Sequence, residues 1–188
     1  TVTEEVTGVD LVEAQLRIAG GASLADLRLT QAHIPAPRGM SMQVRVNLET
    51  MTSDGNARPA GGVLSAYDPP SGAGVRVDGY GYAGYRTSPA FDSLLAKVIV
   101  TAPSGRLDDV AARAGRALAE FRIGGAATNM PFLQALLRHP GLLSGQVHTR
   151  FVEEQIDVLL ASAGGPQPRL YFEPAAAPGA PRTAGIRL

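Results

Sequence analysis

Cysteine and tryptophan are absent from this 188-residue chain, and aromatic residues make up only 5% of it. Without cysteine there are no disulfides, no thiolate metal sites and no thiol nucleophiles, and the redox compartment is left unmarked. Histidine is scarce: His33, His139 and His148 stand far apart, which gives no metal-binding spacing, so no metal site is expected within the chain. Charge of one sign is also lacking. The 17 basic and 17 acidic residues cancel to a formal net charge of +0, which argues against a surface built for nucleic acid or an anionic membrane. No apolar run approaches the roughly 20 residues that span a bilayer, and no signal-peptide pattern is visible. The first residue is Thr1 instead of Met, as expected of a processed start or of a piece of a longer protein.

What is plentiful is glycine and proline, 22 and 14 residues, so turns are frequent and long helices few. With 45% hydrophobic and 18% charged residues, the composition fits one soluble domain with a real core. Thr7-Gly8-Val9-Asp10 reads as a capping box. Val9, Val12, Leu16 and Ala19 then recur at helical spacing until Gly20-Gly21. Residues 23–27 fit a short helical turn, and Pro35 and Pro37 mark a loop. At residue 40 the period changes. Met40, Met42, Val44, Val46 and Leu48 alternate with Ser41, Gln43, Arg45, Asn47 and Glu49, which predicts a strand with one apolar and one polar face.

Residues 52–62 read as loop, 63–67 and 75–78 as short strands, and 94–101 as a longer strand rich in Leu, Val and Ile. Leu107, Val110, Ala111, Ala114, Leu118 and Phe121 share one face of a helix. A brief strand at 122–123 follows. Thr128 or Asn129 then caps a helix with Pro131 in its first turn. A weaker helix covers 151–160. The Gly-, Ala- and Pro-rich stretch 161–188 reads as a linker or a segment lying along a neighbour, which leaves 1–160 as the domain. Helix, antiparallel-type strands, then helices predicts an α+β fold.

The residues with the most chemistry are Gln43, Arg45, Asn47 and Glu49 on one strand face. Any solvated strand carries a polar face, and this pattern fits that reading. It also fits a site in which Arg45, flanked by Gln43 and Asn47, receives an anion through its planar five-donor fork, with Glu49 orienting the neighbourhood or pairing with the Arg. The Gly-Tyr alternation at 79–85 fits either packing or a stacking platform. Lys97 fits a structural ion pair. No Ser-His-Asp set, Walker loop or dinucleotide glycine pattern is present. Composition and spacing alone name no reaction.

Blocks along the chain do. Residues 1–12, with Thr3-Glu4 and Thr7-Gly8-Val9-Asp10-Leu11, resemble a stretch of the biotin carboxylase family. Gln15-Leu16-Arg17-Ile18-Ala19, Val44-Arg45-Val46-Asn47 with Glu49, Gly74-Val75-Arg76-Val77-Asp78 and Phe91-Asp92-Ser93-Leu94-Leu95-Ala96-Lys97 follow in the family's order. Ala117-Leu118-Ala119-Glu120-Phe121, Thr128-Asn129 and Phe132-Leu133 complete the set, which covers about residues 1–152. Gln43 stands where the family usually has Glu, and Ala73 where dimeric bacterial members tend to carry an aromatic.

The resemblance implies the C-terminal domain of a biotin carboxylase, with a mixed, barrel-like antiparallel sheet and flanking helices. In that family ATP and bicarbonate give carboxyphosphate, and the carboxyl group passes to biotin on a carrier domain. Arg45 aligns with the family's catalytic Arg at the bicarbonate and biotin site, with Gln43, Asn47 and Glu49 beside it. Arg76, Arg113 and Glu120 resemble positions where two copies meet in a homo-oligomer. The resemblance further implies ATP, Mg or Mn and biotin as cofactors. The implied partners are an ATP-grasp portion, a biotin carboxyl carrier domain and a carboxyltransferase, in a cytoplasmic acyl-CoA or pyruvate carboxylase. The ATP-binding portion and the metal carboxylates lie outside this chain, so the chain alone is expected to be inactive. The alternative is a structural or assembly module that keeps the fold without the chemistry.

Overall fold

The structure, a computed structural model, describes residues 1–172. Two short helices open the chain, α1 (Val2–Thr7) and α2 (Leu11–Ala19). Gly8 separates them, with φ 73, and its N–H bonds back to the Glu4 carbonyl at 2.7 Å. The cap of α2 is therefore Asp10, whose carboxylate accepts from the Glu13 N–H at 2.9 Å, and not Thr7 as the spacing predicts. Thr7 instead ends a helix that the sequence pattern does not reveal. Residues 24–28 form turns, not a helix.

The main sheet has three strands, β1 (Met40–Asn47), β5 (Val75–Gly79) and β6 (Leu94–Ala102), ordered β1-β6-β5 and antiparallel throughout. Two small two-stranded sheets complete the β structure of the described residues: β2 (Glu49–Met51) with β3 (Ala57–Pro59), and β4 (Ala66–Asp68) with β7 (Arg122–Gly124). The hairpin partner β3 falls inside the stretch read as loop. Of the predicted strand at 63–67, only its end joins β4, while Val63 makes a single bridge to Arg86.

Among the described residues these sheets are separate and small, and no barrel closes. The expected barrel-like sheet is not formed. Strands of three to five residues, punctuated by Gly and Pro, offer too few ladder positions to join the pieces.

The period-two pattern of β1 sorts its side chains as expected. Val44 and Val46 face inward with Ala96, Val98 and Val100 of β6. Against them packs α3 (Leu107–Glu120), through Ala111, Ala114, Ala117 and Leu118, followed by the fully buried Phe121. Gly39 launches β1 with φ +74, and a Cβ there would stand 2.2 Å from the Ala102 carbonyl oxygen at the end of β6, so only glycine fits.

The last helices are α4 (Met130–Leu137), α5 (Pro140–Leu143), α6 (Phe151–Glu154) and α7 (Ile156–Ala163). The predicted helix over 151–160 is thus broken at Gln155, and α5 is an addition. Phe132 and Ala135 of α4 bury against Leu159 of α7. The Leu170 N–H bonds to the Ala119 carbonyl at 2.7 Å and Gln134 and Arg138 bond to Pro168 and Gln167, so residues 167–170 run along α3 and α4; the predicted tail beyond 172 lies outside the described residues. By contrast α2 buries none of its residues, with Val12 67% and Leu16 70% exposed.

Candidate functional site

The outer face of the main sheet is polar and ordered in cross-strand rows. Register places Arg45 opposite Lys97 and Lys97 opposite Asp78. One row over, Gln43, Ile99 and Arg76 align, and α1 lies against this end. Thr1 at the start of α1 donates its hydroxyl to Gln43 Oε1. Arg76 donates to Glu5 at 3.0 Å, to Glu4 at 3.2 Å and, in a two-pronged contact, to Asp78 at 2.8 and 3.1 Å.

These hydrogen bonds hold the Asp78 carboxyl below the usual carboxylate range, chiefly through Arg76 and with help from Lys97 at 3.5 Å. The same bonds hold the Arg76 guanidinium still more firmly charged. A carboxyl whose pKa is lower in the folded chain than in the unfolded one stabilises the fold above the unfolded value, about 3.9. That stabilisation drains away as pH falls through the folded value. The melting temperature of the protein should therefore drop steeply below about pH 4. Asp78→Asn should start lower at neutral pH and lose less on acidification. Parallel melting curves from pH 7 to pH 2.5 check this, and identical acid slopes would contradict it.

Arg45 and Lys97 are like charges directly across a ladder, an arrangement that costs energy unless each is offset. Asp78 offsets Lys97, the structural pair anticipated for that lysine, and Asp92 offsets Arg45 at 3.6 Å. The two contacts differ in kind. Lys97 and Asp78 are the more covered pair, whereas Arg45 is 50% and Asp92 71% exposed. An exposed pair of this sort contributes about 0–1 kcal/mol. An incoming anion can displace Asp92 at little cost, and Arg45 is the side chain of this face best placed to receive one.

Glu49 does not pair with Arg45. Its Oε1 accepts from Asn47 Nδ2 at 3.0 Å and its Oε2 from Ser93 Oγ at 2.8 Å. Asn47 leaves its Oδ1 buried without a hydrogen-bond partner among the described residues. Gln43 is tied to Thr1 and not to Arg45. Of the four residues that alternation places on one face, Asn47 and Glu49 come together, Arg45 points to Asp92, and Gln43 belongs to the α1 contact.

Register also slips between Val46 and Asn47: Val46 faces Ala96 but Asn47 faces Leu94, so Leu95 is the extra residue. At that slip stands Asn129, which the sequence offers as a helix cap and as part of a family block, not as a site residue. Its Nδ2 donates to the Arg45 carbonyl at 3.1 Å, and its Oδ1 accepts from the Asn47 N–H at 2.9 Å. Ser93 and Asn129 are the site residues that sequence reasoning missed; nothing in a local pattern joins residues so far apart in the chain.

Tyr85 meets Tyr80 edge-on with centroids 5.6 Å apart and Tyr82 at a tilt with centroids 5.4 Å apart, and Tyr80 donates its hydroxyl to the Leu94 carbonyl at 2.8 Å. Arg113 pairs with Asp109 at 3.4 Å, and with Glu120 it lines a cavity of about 350 Å³ beside residues 71–75. Arg76 does not line that cavity and is engaged by Glu4, Glu5 and Asp78. No group of three His, Asp or Glu that could hold a metal ion occurs among the described residues.

An α+β domain with a half-exposed arginine on a polar strand face, clamped from an adjoining helix, is thus the class of protein in hand. Over residues 43–154 the sequence matches the family model for the biotin carboxylase C-terminal domain, and the chain belongs to that family. It is 46% identical over 156 residues to a pyruvate carboxylase of Pichia angusta, an alignment covering 82% of this chain and 13% of the relative. A single-chain, multi-domain long-chain acyl-CoA carboxylase superposes with a TM-score of 0.79 and 44% identity, covering 89% of this chain and 18% of that one. The biotin carboxylase domain dimer of the Hydrogenobacter thermophilus 2-oxoglutarate carboxylase, in complex with MgADP, ADP and bicarbonate, superposes with a TM-score of 0.73 at 35% identity, covering 84% of this chain and 33% of that one. The chain thus spans a third or less of the length of these proteins.

Proposed function

We propose that this domain completes the catalytic unit of an ATP-dependent biotin carboxylase within a biotin-dependent acyl-CoA or pyruvate carboxylase. The supporting observation is Arg45: half-exposed, on a strand inside the matched segment, and held, among the described residues, by a weak exposed pair with Asp92. ATP and its Mg or Mn ion belong, in this reading, to an ATP-grasp portion of the same enzyme. The carrier domain presents biotin, which takes up the carboxyl group at a ureido nitrogen and delivers it to a carboxyltransferase.

This chain's contribution is electrostatic. The Arg45 guanidinium gives up Asp92 and turns its fork to the anionic oxygens of bicarbonate or to the charge that develops on the ureido oxygen. It stays charged at every working pH, so that stabilisation needs no proton transfer. Asn47 and Glu49 fix the strand end beside it. The surface around Arg113 and Glu120 is proposed as a contact with a second copy. The proposed setting is cytoplasmic; none of the described helices is long and apolar enough to cross a membrane.

The test is phosphate release from ATP by the intact carboxylase carrying this domain, with bicarbonate and free biotin added in turn. Release should depend on bicarbonate and rise with biotin, and the 188-residue chain alone should give none. Bicarbonate-dependent hydrolysis by the chain alone would overturn the division of labour. An intact protein indifferent to biotin would leave the assembly-module reading.

A further inference from the structure

We infer that Asn129 is a positioning residue for Arg45, acting through the backbone of β1. The inference rests on the assignment of Arg45 as the anion-receiving group. β1 is an edge strand of its sheet, so every second residue turns its N–H and C=O away from β6 with no ladder partner. At Arg45 and Asn47 those groups meet Asn129. Its side chain donates to the Arg45 carbonyl at 3.1 Å and accepts from the Asn47 N–H at 2.9 Å, while its own N–H donates to the Asn47 carbonyl at 3.1 Å. One residue thus brackets the two-residue step that contains the register slip.

Asn129 is unusual for its place. It is the N-cap of α4, where an Asn side chain ordinarily bonds the N–H groups of its own helix, yet it makes no such bond. The amide is committed to β1 instead. It is also buried, at 8% exposure, as a polar side chain must not be without partners. A secondary ring of bonds stiffens the bracket: Glu49 accepts from Asn47 Nδ2, from Ser93 Oγ and, at 3.5 Å, from Asn129 Nδ2.

The arrangement makes mechanical sense. A register slip is a place where a strand can flex, and the Arg45 guanidinium hangs at the end of a long side chain from the residue next to Val46, where the slip begins. Locking the carbonyl of Arg45 and both backbone groups of Asn47 removes that freedom at the root. Misplacement of a reacting group by about 1 Å can cost about 100-fold in rate.

The experiment is a double-mutant cycle in the intact carboxylase, read as kcat and KM for free biotin and for ATP, with melting curves beside each variant. Asn129→Ala removes the bracket. Asn129→Ser introduces a hydroxyl that can cap α4, which favours folding, but is too short to reach both partners on β1. Either should lower biotin-dependent kcat about 10–100-fold with the KM for ATP unchanged. Because Asn129 acts through Arg45, Arg45→Ala combined with Asn129→Ser should be no slower than Arg45→Ala alone.

If Arg45→Ala is slow but Asn129→Ser turns over at the wild-type rate, or if the two losses multiply, the positioning role is overturned and the reading of Arg45 stands. If Arg45→Ala itself is unimpaired, both fall together.

Discussion

Arg45→Ala in the intact carboxylase should slow biotin-dependent turnover by about 10²–10³-fold, the loss typical of removing one preorganised donor to a developing anion. The melting temperature should hardly move. Arg45 is half-exposed, its ion pair among the described residues is with the still more exposed Asp92, and it is not a member of the apolar core. Arg45→Lys keeps a positive charge on the strand but gives up the planar fork, so it should recover only part of the rate. Asp92→Ala gives the complementary control, since it frees the guanidinium without removing it. Turnover near wild type in a folded Arg45→Ala protein would take Arg45 out of the site.

The second large effect is on stability. Leu118→Ala should cost about 2–5 kcal/mol, the range for truncating a buried leucine whose surroundings cannot fully collapse. Leu118 is 1% exposed and sits where α3 meets the inner face of β1 and β6, beside the fully buried Phe121. Phe121 in turn packs edge-on against Tyr67 of β4 with centroids 5.3 Å apart. The cavity would open at the junction of the main sheet, its covering helix and the small β4–β7 sheet, where no single element can move to fill it. Urea unfolding of wild type and variant measures the loss; a value near zero would mean that the position tolerates collapse.

Both predictions draw on elements that the sequence already displays. Alternation over residues 40–49 marks β1 and runs on to the start of β2, and a 3.6-residue stripe marks α3, because burial on one face imposes those periods directly. Arg45 is legible for the same reason: it is the cation on the polar phase of a strand. What escaped is set by contacts between distant residues. The hairpin partner β3 lies in a run of Gly, Asn and Pro whose composition is that of a loop, and its strand character comes only from pairing with β2. Asn129 reads as a helix cap because its neighbours, Met130 and Pro131, announce a helix start. Its true partners lie more than eighty positions earlier. Thr7-Gly8-Val9-Asp10 misleads differently: two helices abut there, and the pattern of a start overlies the left-handed glycine of a stop. The barrel-like sheet came from resemblance, and short strands do not support it in this chain.

Helix α2 gives the molecule two tiers of cooperativity. It has nine residues, none of them buried, and isolated helices in water are marginal below about 12–15 residues. Its amides therefore open by local unfolding at a small fraction of the global free energy, whereas those of β6 and α3, wrapped in the core, open only when the whole domain does. The backbone that carries Arg45 belongs to the second tier. Fluctuations in α2 are thereby decoupled from the guanidinium: α2 can fray and reform many times while the strand face that carries Arg45 stays in register.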